Sequence, residues 1–246
     1  MIIDTHFHIG KGEQLGDPYQ VDKPYRLAVE QMAEAGVDKT CVMPVAYRDY
    51  EGALEEIREA VAAHPDKLIG YARVNLADEE RALRQLRRSF EEYGFRGCKI
   101  STGGDGFPTR RFMDAMSEYQ RPLLLHTYAD LQFIEAAGQL ARGYPKVPII
   151  LGHMGGFASG FWPGYVKLCA VEAQQVDNVY LDTALVFLHG WIEVAAEICG
   201  AEKIVFGSDG PVAHPAVALK QIELCGFSDQ ERNMILGGTA RRLLGL

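Results

Sequence analysis

Several patterns that would settle a function quickly are missing from these 246 residues. Nowhere do four basic residues stand in a row, and Asp and Glu (33) outnumber Lys and Arg (25), for a formal net charge of −8. A nucleic-acid partner would require a clustered basic face, so the charge balance argues against one. No segment approaches the ~20 apolar residues needed to span a bilayer. The opening Met1-Ile2-Ile3-Asp4 lacks the basic stretch, apolar stretch and cleavage site of a secretory signal. The five cysteines (Cys41, Cys98, Cys169, Cys199, Cys225) are odd in number, lack CxxC spacing and sit among apolar neighbours. They suit reduced thiols better than a disulfide framework, and a cytoplasmic protein with no membrane partner is expected. Linkers and low-complexity stretches are also absent, so residues 1–246 are expected to form a single domain.

What is present is a rhythm. Short β-rich runs occur at Met1–Thr5, Lys39–Met43, Lys67–Val74, Gly97–Ile100, Pro122–His126, Val147–His153, Asn178–Asp182 and Lys203–Ser208, starting 25 to 38 residues apart. Amphipathic stretches lie between them, such as Tyr25–Ala35, Ala53–Ala63, Glu79–Tyr93, Arg110–Tyr119, Leu131–Arg142, Tyr165–Gln175 and Leu188–Cys199. Gly36, Gly94 and Gly200 stand where helices stop. A further helix over Asp229–Leu236 and a short Thr239–Leu244 segment close the chain. Strand and helix alternating eight times predicts a parallel sheet, either open or closed. An open dinucleotide-binding sheet would carry GxGxxG after its first strand, where this chain has Asp4-Thr5-His6-Phe7-His8. The count and the length favour an α/β fold of the (β/α)8 TIM-barrel type.

In such a barrel the reactive side chains come from the C-terminal ends of different strands. Asp4, His6 and His8 share one face of the first strand by simple alternation. His126 ends the fifth strand, His153 the sixth and Asp182 the seventh; Asp209 follows the eighth and Lys99 lies near the end of the fourth. Neutral imidazole and carboxylate are the natural ligands of zinc-like divalent ions. An ion with an open position can bring the pKa of bound water to about 7. Arg73, near the end of the third strand, could clamp a carboxylate or pin a loop. Tyr128 and Asp130 follow His126 closely enough to line the mouth, and His214 follows Asp209 into the next loop. His64 and His189 read as helix-end residues. Gly103-Gly104-Asp105-Gly106 is not followed by GK[ST] and is no phosphate loop. The segment Gly155–Gly164, with Phe161 and Trp162, is expected to cover the pocket or to form a homodimer contact.

The segments Ile3-Asp4-Thr5-His6-Phe7-His8-Ile9-Gly10, Leu125-His126-Thr127, Ile150-Leu151-Gly152-His153-Met154-Gly155-Gly156 and Phe206-Gly207-Ser208-Asp209 carry a resemblance that spans the whole chain, to its end at Ile235–Leu244. They resemble the amidohydrolase superfamily, in its amidohydrolase-related group of hydrolases, lactonases and decarboxylases of the aminocarboxymuconate-semialdehyde type. The resemblance implies a TIM barrel with one zinc-type ion held by His6, His8, His126 and Asp209. His153 is then a second-metal ligand or a catalytic base and oxyanion stabiliser. Asp209 would also shuttle a proton. Lys99 corresponds to a lysine that two-metal relatives carry carboxylated. Here Lys99-Ile100-Ser101-Thr102 departs from the group's Lys-Leu-His-Pro segment, and an unmodified cation for an anionic substrate is the expectation, against a salt bridge to Asp182.

Lys99, Arg73, Tyr128 and His214 are therefore the candidate substrate contacts, with Asp209 and His153 as the catalytic pair. The expected function is metal-dependent hydrolysis of a small ester, lactone or amide. The alternative is metal-dependent, non-oxidative decarboxylation of a small unsaturated or aromatic acid; a catalytically silent metal-binding barrel and a TatD-type nuclease rank below both. So short a chain builds its pocket from short loops, which points to a small-molecule substrate.

Overall fold

The computed structural model describes residues 1–10, 24–46, 50–128, 130–155, 163–188 and 190–246. Eight strands lie side by side in chain order, all parallel: β1 (Ile3–Ile9), β2 (Lys39–Pro44), β3 (Leu68–Arg73), β4 (Gly97–Ser101), β5 (Leu123–His126), β6 (Ile149–Leu151), β7 (Val179–Asp182) and β8 (Ile204–Val205). The ring closes where the chain beyond β8 runs along β1. Thr5 N–H donates to Phe206 O (2.9 Å), Asp209 N–H to His6 O (2.9 Å) and His8 N–H to Gly210 O (2.6 Å). The helices are α1 (Tyr25–Ala35), α2 (Glu51–Ala63), α3 (Glu79–Glu91), α4 (Arg110–Tyr119), α5 (Leu131–Gly143), α6 (Pro163–Gln175), α7 (Trp191–Cys199), α8 (Pro215–Leu224), α9 (Asp229–Asn233) and α10 (Thr239–Leu244). The protein is a (β/α)8 TIM barrel. Among the described residues no helix is long and apolar enough to cross a membrane.

Alternation along the strands sorts the core into two sets. Val42, Leu68, Ala72, Cys98, Ile100, Leu123, Leu125, Ile149, Leu151, Val179, Leu181 and Ile204 pack with the helices. The residues between them (Cys41, Met43, Ile69, Tyr71, Leu124, Ile150, Tyr180 and Val205) form the inner cluster with Ile3, and Ala240 and Leu244 of α10 close its base. The same parity sends Arg73, Lys99, His126 and Asp182 inward at the upper strand ends. On β1 simple alternation fails. Asp4 pairs with Thr40 but Phe7 with Val42, so the register slips by one residue between them. Counting by twos from the inward Ile3 would turn His6 and His8 toward the helices; the bulge restores them to the interior, a re-aiming typical of bulges near active sites.

Several boundaries differ from the expected ones: β6 keeps only Ile149–Leu151 of Val147–His153, α7 begins at Trp191 instead of Leu188, and the helix expected over Asp229–Leu236 gives way to a π-helical turn at Met234. β1 runs on to Ile9, because buried polar side chains continue the strand where an apolar run would have stopped. Regular β8 ends at Val205, short of Ser208, as the chain leaves β7 for β1 and turns at Asp209 (φ 62°). Helix α8 is not among the expected helices, although Pro215 at its first turn is an ordinary start signal; His214, an unusual N-cap residue, hides the start. Gly36 ends α1 in the left-handed region (φ 72°), as expected of a C-cap glycine. All five cysteines are buried free thiols.

Candidate metal centre

The upper rim of the barrel concentrates backbone strain. Among the described residues, six non-glycines have positive φ, and five of them are there: Tyr128 follows β5, His153 and Met154 follow β6, Leu185 follows β7 and Asp209 follows β8. A left-handed non-glycine residue costs about 1–2 kcal/mol, so these turns persist only where surrounding contacts dictate them. They follow four successive strand ends, and two of them carry the site candidates His153 and Asp209.

At its centre three acceptor atoms face one another. His6 Nε2 and His8 Nε2 are 3.2 Å apart, and Asp209 Oδ1 lies 3.2 Å from the first and 3.3 Å from the second. The other ring nitrogens fix the tautomers. His6 Nδ1 is 2.7 Å from Asp182 Oδ2 and His8 Nδ1 is 3.1 Å from Pro44 O. Both partners accept only, so the imidazole protons sit on Nδ1 and both Nε2 atoms present lone pairs. Burial lowers both histidine pKa values, with Lys99 adding to the effect at His6, so the rings stay neutral. Burial by itself would raise Asp209, but its histidine neighbours hold it well below the usual carboxylate range. Two lone pairs and a carboxylate oxygen meeting in a buried space call for a cation.

The donor set fits a divalent metal. Bonds of about 2.0–2.1 Å place tetrahedral ligand atoms about 3.3–3.4 Å apart and octahedral neighbours about 2.9 Å apart. The observed edges of 3.2–3.3 Å fall between these and do not single out zinc. A second trio, His6, His153 and Asp182, also comes within 4.8 Å. Its carboxylate is already committed to hydrogen bonds: Asp182 Oδ2 to His6, and Asp182 Oδ1 to the N–H groups of His153 (2.5 Å) and Ala184 (3.1 Å).

Lys99 reaches this centre from β4, its Nζ 3.0 Å from His6 Nε2. It is 1% exposed, and burial pushes its pKa down to about 8. No carboxylate of the described residues comes within 4.0 Å of it, so the expected alternative of a salt bridge to Asp182 is not formed. Asp182 serves His6 and two backbone amides instead. Arg73, paired in register with Lys99, takes the other role foreseen for it. Its Nε donates to Asp105 Oδ2 (2.8 Å) and its Nη1 to Pro44 O (3.3 Å), the carbonyl that also orients His8. Asp105 further accepts from Tyr50 Oη (2.6 Å) and Ser101 N–H (2.9 Å), so the loop after β4 is pinned to β3.

The remaining candidates spread around the mouth. His153 donates from Nδ1 to Ala184 O (3.0 Å), and its ring lies 5.0 Å from His6 and 4.6 Å from His126. His126 belongs to neither close trio; its ring stacks on Tyr128 at 4.1 Å. Tyr128 is 38% exposed at the rim, with its hydroxyl 2.7 Å from Ser101 Oγ. His214 accepts Ala216 N–H as the cap of α8 and meets Glu34 at 3.0 Å, a structural post on the helical layer. Asp130 caps α5 in the same way. His189, Phe161 and Trp162 lie outside the described residues, as does most of the Gly155–Gly164 segment.

Two buried carboxylates noted in the sequence take roles that it does not reveal. Asp182 was visible as a strand-end acid, but its partners depend on the turn after β6. Asp4 accepts the N–H groups of His6 and Ser208 (3.0 Å each) and the Ser208 hydroxyl (2.5 Å), tying β1 to the segment that carries Asp209.

Comparison with known proteins places this centre in a family. A family model described as Amidohydrolase matches residues 3–246. A 2-keto-4-carboxy-3-hexenedioate hydratase of Sphingobium sp. strain SYK-6 is 26% identical over 213 residues, 68% of this chain and 62% of the hydratase. The match thus spans about three fifths of that relative's length. A gamma-resorcylate decarboxylase of Polaromonas sp. strain JS666 is 24% identical over 246 residues, covering 77% of this chain and 74% of the decarboxylase. Among solved structures, a dihydroxybenzoic acid decarboxylase from Polaromonas sp. JS666, with bound manganese and the inhibitor 2-nitroresorcinol, superposes with a TM-score of 0.77 at 20% identity, covering 100% of this chain and 97% of the other. A family match that runs from the first strand to the last residue goes beyond a shared barrel, and the chain belongs to the amidohydrolase family.

Proposed function

We propose that the protein is a metal-dependent carboxy-lyase that removes CO2 from a small aromatic or conjugated carboxylic acid. The observation that carries this choice is Lys99, a buried ammonium without an ion-pair partner among the described residues, beside the His6, His8 and Asp209 trio. A buried cation left unpaired is costly, and a substrate carboxylate would relieve that cost. The named substrates of the relatives agree: gamma-resorcylate and 2-keto-4-carboxy-3-hexenedioate are both unsaturated carboxylic acids. Ester, lactone or amide hydrolysis, the first expectation from sequence, has less support, because a neutral carbonyl substrate leaves Lys99 unmatched.

One divalent ion held by His6, His8 and Asp209 would supply charge neutralisation for the substrate's oxygens. His126, whose ring lies 4.6 Å from that of His153, is the remaining candidate ligand. Decarboxylation breaks the bond between the ring carbon and the carboxyl carbon; the electron pair stays on the ring carbon and is taken up by a proton, while CO2 leaves. Asp209, held well below the usual carboxylate range, is a poor source of that proton. With its Nδ1–H fixed on Ala184 O, His153 would first take a proton from solvent on Nε2 and then pass that proton to the ring carbon, returning to the neutral ring. Lys99 would hold the carboxylate, and the stacked His126–Tyr128 pair would offer a flat face to a planar ring.

The test is a panel of dihydroxybenzoates and conjugated diacids, set beside simple lactones and esters, with purified protein and added Mn2+. Release of CO2 with loss of the acid is expected. Hydrolysis of the lactones or esters without CO2 from any acid would overturn the proposal. Hydration of a conjugated diacid, followed by loss of its ultraviolet absorbance without CO2, would instead favour the chemistry named for the hydratase relative.

A further inference from the structure

We propose that Asp182 is the positioning residue of the centre: one carboxylate keeps the His6 proton on Nδ1 and at the same time holds the left-handed turn that carries His153. The proposal rests on the metal-centre reading above for its consequence, though not for its geometry. Asp182 ends β7 and is fully buried. Its Oδ2 takes the His6 Nδ1–H at 2.7 Å, so the His6 lone pair faces His8 and Asp209. Its Oδ1 takes the N–H of His153 at 2.5 Å and of Ala184 at 3.1 Å. His153 and the following Met154 both have left-handed backbone (φ 57° and 51°), a pair of strained residues that needs an outside anchor. The anchor is thus the same group that sets the His6 tautomer. A metal ligand and the proposed proton donor, on β1 and after β6, are referred to one carboxylate on β7.

Only an acceptor at both oxygens can do this. In Asp182→Asn, the amide oxygen can stay on the two backbone N–H groups, and the amide nitrogen then meets His6 Nδ1. His6 must move its proton to Nε2, where the N–H points at His8 and Asp209 and no lone pair remains for an ion. In the opposite rotamer, the amide nitrogen faces two N–H donors and the His153 turn loses its anchor.

The experiment is Mn2+ titration of metal-stripped wild-type and Asp182→Asn protein against a chelating dye, with 15N-histidine NMR of both metal-free proteins. The His6 resonances are identified by their loss in His6→Gln. Wild type is expected to show His6 protonated at Nδ1. Asp182→Asn is expected to bind Mn2+ about 10–100-fold more weakly and to show His6 protonated at Nε2. A folded Asp182→Asn with unchanged tautomer, or with unchanged Mn2+ affinity, overturns the proposal. So does a wild-type spectrum with the His6 proton on Nε2, a result obtainable even if the variant does not fold. If wild type binds no Mn2+ while the tautomer still switches, the metal reading fails and the positioning role stands.

Discussion

Replacing Asp4 by alanine tests how the barrel is closed around its centre. The Asp4 side chain is fully buried and accepts the N–H groups of His6 and Ser208 at 3.0 Å each and the Ser208 hydroxyl at 2.5 Å. In Asp4→Ala the hydroxyl can turn toward His6 O, 3.5 Å away, but the two N–H groups have no such substitute. A buried donor left unsatisfied costs about 1–3 kcal/mol. Burial raises the Asp4 carboxyl from 3.8 to about 7, and relief of that strain returns part of the loss. A net cost of about 3 kcal/mol follows, or about 6–12 °C in Tm for a chain of this size. The pH dependence has a definite sign. An acid whose folded pKa is raised stabilises the fold fully below its unfolded value, and this contribution fades as pH rises from about 4 through 7. The gap between wild type and variant, measured by thermal unfolding of metal-free protein, is therefore expected to be wider at pH 5 than at pH 8. A Tm within about 1 °C of wild type, or a gap that widens toward pH 8, would refute the reasoning. Since His6 and Asp209 flank the lost contacts, Mn2+ affinity should fall in the same variant.

Two other outcomes follow from packing and charge. A Cβ at Gly70 would lie 2.3 Å from Cδ1 of the buried Phe95 ring, so Gly70→Ala should cost about 1–3 kcal/mol by overpacking, seen as a lower urea midpoint with an unchanged m-value. Lys99→Met keeps the volume of the stem but removes the ammonium beside His6. It should lower kcat/KM for a carboxylate substrate about 10–100-fold, the equivalent of one hydrogen bond to a charged group, while leaving Mn2+ binding intact; unchanged turnover would show that Lys99 does not meet the substrate.

Much of this architecture is legible in the sequence because a βα repeat writes itself in apolar runs and glycine stops. Both α1 and α4 lie at their expected bounds. The centre is harder to read, and the reasons are local. His6 and His8 reach the interior through a register slip after Asp4 that no alternation rule foretells. Asp182 looks like one more strand-end acid until the left-handed turn at His153 delivers a backbone N–H to it. Arg73 could be read either as a clamp or as a pin, and Asp105, four residues past β4 pairing and out of pattern, decides for the pin. His214 follows Asp209 closely in sequence, yet the turn between them carries it away to cap α8. Residue types reveal the chemistry; the bulge and the strained turns decide which of them meet.

The most direct test of the whole account joins its metal and its reaction. Metal-stripped protein would be titrated with Mn2+ while CO2 release is followed from the acid of the panel that the protein turns over fastest. The stripped protein is expected to release no CO2, and the rate to rise with Mn2+ to a plateau near one ion per chain and to be abolished in His8→Ala. CO2 release at the same rate with and without metal, or retained in full by His8→Ala, would contradict the account.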